Sequence, residues 1–338
     1  MGSFYYRIKS FQQIIYLSCF ALLSFKAFAH VHPKQEQANE MISELYHNLN
    51  NIPKFDMAAR LDAISAHFLG KEYLLGALGE GVKARFDQAP RYRVDAFDCD
   101  TYVTTVLALA LASDTRDFKQ CLCKIRYENG HVAYTSRNHF TGLDWNLNNQ
   151  RQGFVKDITE NFKDINNQPV AQIDNTLIDK PSWYQHLTLK NIRLYPGDEK
   201  EQLQRLTDLK NRGSKLTKIN SHLAYIPLTS LFDNNGKANQ YLFSQIPHAA
   251  IIEIVRPNWN LQEAIGTNLN VSHLGFAFWK NGTLYFREAS SIHGRVVDVP
   301  LVDYLQEARN SPTIKGINVQ VVVPTNPLSN GCSPAGNH

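Results

Sequence analysis

Long apolar runs are nearly missing from this sequence. The clearest, IIYLSCFALLSF at residues 14–25, has 12 residues, well short of the roughly 20 that a bilayer-crossing helix needs. The chain beyond it is therefore expected to be soluble, without stable membrane insertion. A strong charge imbalance is missing as well. Of the net +4, Arg7, Lys9 and Lys26 supply three charges, which leaves about +1 beyond residue 29. So weak a field argues against nucleic acid or an anionic membrane as the main partner. Cysteine is sparse, with five in 338 residues, too few for a disulfide framework. Cys121 and Cys123, with His131 downstream, lack a second ligand pair at useful spacing, so no metal site is expected. The glycine-rich GKEYLLGALGEG (70–81) is not closed by Gly-Lys-Ser/Thr, which excludes a phosphate loop. No cofactor is implied, and there is neither a repeat nor a low-complexity tract.

The remaining composition, 43% hydrophobic and 20% charged, is that of a globular chain with a sizeable core. At the start, Arg7 and Lys9 precede the apolar run, and Ala27-Phe28-Ala29 supplies a small-x-small cleavage pattern. Residues 1–29 read as a signal peptide cut near Ala29, the competing reading being a membrane anchor. Four cysteines then remain: Cys99, Cys121, Cys123 and Cys332. Cys121 and Cys123 are too close for an easy mutual bridge, but either can pair with Cys332 in an oxidising compartment.

Apolar spacing predicts helices over 35–50 (Met41, Ile42, Leu45, Leu49) and 56–68 (Met57, Leu61, Ile64, Phe68). DCDTYVTTVLALALA (98–112) predicts a helix with Asp98 as N-cap, Cys99 at its first position, and Val103, Val106, Leu107, Ala110 and Leu111 on one face. Residues 121–135 fit a hairpin turning at Asn129-Gly130. Residues 164–200 read as a long polar surface excursion, followed by a charged helix near 198–212. IPHAAIIEIV (246–255) is a buried strand, and strands 273–279 and 283–287 meet at Asn281-Gly282. The order gives an α+β fold. The expected division is a leader (1–29), an N-terminal helical part and loop (30–90), a core (91–325) with an insertion near 164–245, and a tail (326–338).

Cys99 stands out chemically. A thiol attacks as thiolate, and a helix N-terminus favours negative charge and offers amide donors for an oxyanion. Asp98 and Asp100 work against the thiolate, although capping absorbs part of that charge. Cys99 also fits a small apolar core residue, but its polar flanks place it at a boundary. Its base is sought among twelve histidines. His139 and His222 are available, but His273 alone has a strand context with an orienting partner. With Asn281-Gly282 as the turn, Lys280 pairs with Thr283, His273 faces Ser290, and Glu288 lies diagonally across on the same face, within side-chain reach. Glu288 is then the third member of a nucleophile–base–orienter set. RNHFTGLDWN (137–146) gathers Asn138, His139, Asp144 and Trp145, polar groups and a stacking ring suited to substrate or, equally, to a hydrogen-bonded loop.

Asp98-Cys99, Ser272-His273-Leu274-Gly275 and Glu288 in REASS resemble the NlpC-type branch of papain-like cysteine hydrolases. YRVDAFDCDTYVTTVLALA, RNHF with the later DW, IVRPNW and SHLGFAF narrow the likeness to the N-acetylmuramoyl-L-alanine amidase-like family, over roughly residues 65–300. The resemblance implies a papain-like core, its nucleophile helix packed on an antiparallel sheet, preceded by N-terminal helices. It implies a periplasmic enzyme that cuts between the lactyl group of N-acetylmuramic acid and L-Ala in peptidoglycan fragments, with Tyr73 lining the pocket. The usual third residue there is histidine, whereas this chain has Glu288. Lacking a wall-binding repeat, the chain suits soluble muropeptides. Alternatives are a γ-D-Glu–diamino acid endopeptidase, an inactive muropeptide-binding protein and an acyl-transferring enzyme. Oligomeric state is not encoded legibly.

Overall fold

The protein is described by a computed structural model covering residues 32–49, 56–195 and 197–332. The expected leader and the last residues of the tail lie outside these.

Helices α1 (Pro33–Leu49) and α2 (Met57–Ala66) follow the apolar spacing, with Asp56 capping α2 through the Ala59 amide at 2.9 Å. Helix α3 (Cys99–Leu111) starts at a capping box. Asp98 Oδ1 accepts from the Thr101 N–H at 2.8 Å, and Thr101 Oγ1 accepts from the Asp98 N–H at 2.9 Å. From Thr101 to Leu111 every residue of α3 is buried, not one stripe alone. A helix apolar all round belongs at the centre of a fold.

Two expectations fail. The hairpin over 121–135 is absent, because helix α4 (Thr115–Arg126), capped by Asp114, occupies its first half. Phe118, Cys121, Leu122 and Ile125 recur at helical spacing and are buried. Asn129 and Gly130, both at positive φ, turn the chain after a helix instead of between strands. The polar excursion is also more than surface. After helix α5 (Asn146–Arg151) and strand β3 (Val155–Asp157), strand β4 (Gln172–Asp179) pairs residue for residue with β5 (Lys218–Pro227). Its inward residues include Asp174 and Thr176, so a hydrophobic pattern was not there to be read. Helix α6 (Lys180–His186) follows, and α7 (Glu199–Gly213) stands where the charged helix was expected.

Ten strands form one sheet in the order β2-β1-β9-β8-β7-β6-β10-β5-β4, with β3 on β10. The others are β1 (Glu72–Tyr73), β2 (Ala96–Phe97), β6 (Ala250–Leu261), β7 (Thr267–Lys280), β8 (Thr283–Ser290), β9 (Arg295–Pro300) and β10 (Gly316–Val322). Only β1 and β2 run parallel. One core gathers α1 to α4 with Leu274, Phe276 and Phe278. The other gathers Ile252, Ile254, Ala277 and Phe286 with the short helices α8 (Leu228–Leu231) and α9 (Gln240–Phe243) and with residues of Leu301–Ala308. Alternate strand residues supply the two cores, as the period of a sheet requires. Helix α10 (Gln262–Ile265) separates β6 from β7, and α11 (Leu301–Ala308) separates β9 from β10. The result is a mixed α+β fold built on a large, mainly antiparallel sheet.

Cys121 on α4 is bonded to Cys332 on the last described strand, β11 (Ser329–Cys332). Of the two pairings open to Cys332, this one leaves Cys99 and Cys123 as free thiols. Among the described residues no helix is long and apolar enough to cross a membrane.

Candidate active site

The capping box sets the position of Cys99. Asp98 spends one carboxylate oxygen on Thr101 and the other on the Gly76 N–H at 2.8 Å. The same aspartate thus docks the glycine-rich 70–81 segment against the start of α3. Gly76 has a φ of 68°, a left-handed conformation that glycine adopts without strain. Next to it, burial and the Asp98 charge push the Asp100 carboxyl up to about 7, which weakens the opposing anion anticipated beside the thiol. Cys99 is half-buried and packs against the α1–α4 core. As first-turn groups, the amides of Cys99 and Asp100 have no carbonyl one turn back to bond.

His273 approaches from the sheet. The β7–β8 ladder runs from Lys280 paired with Thr283 to Phe276 paired with Arg287, the register counted from the Asn281-Gly282 turn. Beyond it, His273 Nε2 meets Glu288 Oε2 in an ion pair, the histidine side chain 15% exposed and the glutamate 3%. The Cys99 sulfur is the other polar neighbour of the ring. Burial works to lower the His273 pKa, but Cys99 and Glu288 outweigh it and carry the value up to about 10. A protonated imidazole is therefore strongly favoured between a sulfur and a carboxylate. The ring is held from the sides as well. Phe286 meets it edge-on with centroids 5.8 Å apart, and Tyr304 of α11 stacks on it at 6.3 Å and 21°.

Tyr73 belongs to the same group. Burial first, then the charges of Cys99, Asp98 and Glu288, push its hydroxyl up to about 12. Its strand is tied on one side by the Tyr73 N–H to Gly294 carbonyl bond, and Leu74 beside it bonds the Phe97 carbonyl, both at 2.8 Å.

The side chains of the 137–146 group have partners within the fold. Trp145 is 1% exposed, and its indole N–H donates to Thr104 Oγ1 at 3.1 Å, so the ring is core and not a stacking platform. Asn138 Nδ2 donates to the Ile125 carbonyl at 2.8 Å. His139 sits 2.8 Å from the Tyr134 carbonyl and packs on Trp183; burial holds its pKa well below the usual histidine range. Asp144 pairs with Lys180 at 2.5 Å. The other histidine weighed as base, His222, pairs with Asn175 on the β4–β5 ladder. The sequence reading missed Tyr304. Its signal was faint, one aromatic on a short amphipathic helix whose contact with His273 is purely tertiary.

A sequence model of the N-acetylmuramoyl-L-alanine amidase-like family matches residues 63–314. Among solved structures, the chain is 56% identical to protein LPG0564 of Legionella pneumophila str. Philadelphia 1, of the DUF1460 family, with a TM-score of 0.85 over 87% of this chain and 97% of that one. An N-acetylmuramoyl-L-alanine amidase from Bacteroides uniformis is 24% identical, with a TM-score of 0.54 over 79% of this chain and 99% of that one. A Bacteroides fragilis chain provisionally named a xylanase is 24% identical, with a TM-score of 0.52 over 76% and 99%. At that identity the last two show a shared fold. No curated protein matches the chain.

Proposed function

This chain belongs to the N-acetylmuramoyl-L-alanine amidase-like family, and from that premise we propose that it hydrolyses the amide between the lactyl group of N-acetylmuramic acid and L-Ala in peptidoglycan fragments, as a papain-like, NlpC-type cysteine hydrolase. The family makes the chain amidase-like and its substrate class peptidoglycan. The cysteine chemistry and the bond cut are our reading. The observation that carries it is a free Cys99 at a helix N-terminus, beside a histidine that is ion-paired with a buried carboxylate.

His273 takes the Cys99 proton, so that an ion pair of thiolate and imidazolium waits for substrate. With Nε2 directed at Glu288, Nδ1 is the nitrogen left for the sulfur. The thiolate attacks the lactyl carbonyl, and the developing oxyanion faces the first-turn amides of α3. The imidazolium then donates its proton to the departing L-Ala nitrogen, leaving a thioester. Water, deprotonated by the now neutral His273, attacks that thioester and releases the lactyl carboxylate and the thiol. Glu288 holds the ring orientation and stabilises its charge, the part that a histidine in the third position plays in related hydrolases. Tyr73, packed on the same core as Cys99, lines the pocket in this reading. Export to the periplasm, the leader at 1–29 and a preference for soluble muropeptides belong to the same proposal. The Cys121–Cys332 bond supports it, since such bonds persist in oxidising compartments.

Mass spectrometry of a defined muropeptide treated with wild type and with Cys99→Ala tests the proposal. Free sugar plus an L-Ala peptide from wild type alone is the expected result. A shortened stem peptide makes the enzyme an endopeptidase; no product from either protein makes it a binding module. Added amine acceptors that appear in the product make it a transferase.

A further inference from the structure

Arg256 takes no part in the chemistry above, yet it lies beside it. The β6–β7 ladder pairs Ile254 with His273, then Val255 with Val271, then Trp259 with Leu269, so residues 256–258 bulge out of it. Asn258 takes a left-handed φ of 48° at the turn of the bulge. Bulges re-aim side chains, and this one stacks the Arg256 guanidinium over the Trp259 ring, 4.4 Å from its centroid. Nη1 donates to Thr313 Oγ1 at 2.7 Å, while Nε is buried without any partner. Tyr304, whose ring stacks on His273, is also a neighbour of Arg256.

What Arg256 lacks is an anion. Arg137 has Glu80 and Asp87, and Arg287 has Asp62 and Asp298; among the described residues no carboxylate pairs with Arg256. A half-buried guanidinium so placed has a ring and a hydroxyl beside it but no opposite charge to offset the desolvation of its own. Its flat fork, held against an aromatic plane, matches the two oxygens of a carboxylate.

We propose that Arg256 is a binding site for a carboxylate of the substrate's peptide, with Trp259 fixing the plane of the guanidinium. This rests on the muropeptide reading above. Two carboxylates share the chemistry: the α-carboxylate of a γ-linked D-Glu, and the C-terminal carboxylate of the stem.

The test uses three versions of one muropeptide: unmodified, amidated at the D-Glu α-carboxylate, and amidated at the C-terminus. With wild type, one of the two amidations is expected to lower kcat/KM about 10- to 100-fold, the size of a charged hydrogen bond, chiefly through KM. Arg256→Ala should lose a like factor on the unmodified substrate and no longer distinguish the pair, while Arg256→Lys recovers part of the preference. Equal cleavage of all three by wild type overturns the proposal, and so does an unchanged preference in Arg256→Ala, which would leave the arginine as a strut of the bulge. Binding of the three peptides to Cys99→Ala, by calorimetry, separates this from the amidase reading. A charge preference in binding supports the Arg256 site even where wild type cuts a different bond. Equal binding of all three sinks it, whatever the enzyme cleaves.

Discussion

Two polar groups in this molecule look alike as sequence and differ as structure. Around 137–146, asparagine, histidine, aspartate and tryptophan turn their polar atoms inward to carbonyls, a threonine and a lysine. Around Cys99, a thiol stands beside an imidazole that is ion-paired with a carboxylate, with first-turn amides left over. The difference lies in saturation. A buried polar group satisfied by backbone specifies a fold. A short relay of titratable groups that ends at a half-exposed thiol retains something to offer a substrate.

The sharpest way to break this contrast is to remove one member from each side. Cys99→Ala is expected to lower kcat on a muropeptide at least about 1,000-fold while leaving thermal unfolding almost unchanged; retained turnover would end the cysteine mechanism. Trp145→Ala should do the reverse. Deleting a buried tryptophan costs about 3–5 kcal/mol of stability, read by urea unfolding, while activity per folded molecule stays within about threefold. Lost activity in a well-folded Trp145→Ala protein would return that ring to the substrate site.

Glu288→Gln sharpens the comparison from within. It keeps the shape but removes one of the two anions that hold His273 protonated, so kcat/KM should fall about 10- to 100-fold, in the range seen when an orienting partner is lost. The pH profile carries the sign. The raised His273 pKa stabilises the fold fully below the ordinary 6.5, and this contribution is lost as pH rises through about 10. Wild type should therefore lose more thermal stability between neutral pH and about 10 than His273→Gln does. The alkaline limb of kcat/KM in Glu288→Gln should lie at lower pH than in wild type. The smallest effect is expected from Tyr304→Phe. The Tyr304 hydroxyl makes no hydrogen bond among the described residues, and the ring stack on His273 is kept, so kcat/KM should change less than about twofold. Tyr304→Leu, which removes the stack, should cost about 1 kcal/mol of binding or orientation.

The parts of the fold written in local chemistry were legible beforehand. Asp98 marked the start of α3, and the Asn281-Gly282 turn allowed the register of β7 on β8 to be counted. That count set Glu288 diagonally across from His273 on one face of the sheet. Other parts depend on distant partners. Strand β4 turns Asp174 and Thr176 inward and owes its place to pairing with β5. Helix α4 was hidden by a turn signal that proved to be its exit. Tyr304 meets His273 from an eight-residue helix and Arg256 leaves its ladder at a bulge, neither of which leaves a periodic trace. The 137–146 group misled because residue type does not reveal whether a hydrogen bond is already taken.

The Cys121–Cys332 bond sets a problem in oxidative assembly. Half of the single bridges that the four cysteines beyond residue 29 can form would include Cys99 and, on the proposed chemistry, silence the nucleophile. A chain oxidised before α3 and α4 have formed draws from all of them. One oxidised afterwards finds Cys121 already beside Cys332, so the order in which folding and air meet this polypeptide decides what fraction of a preparation is alive.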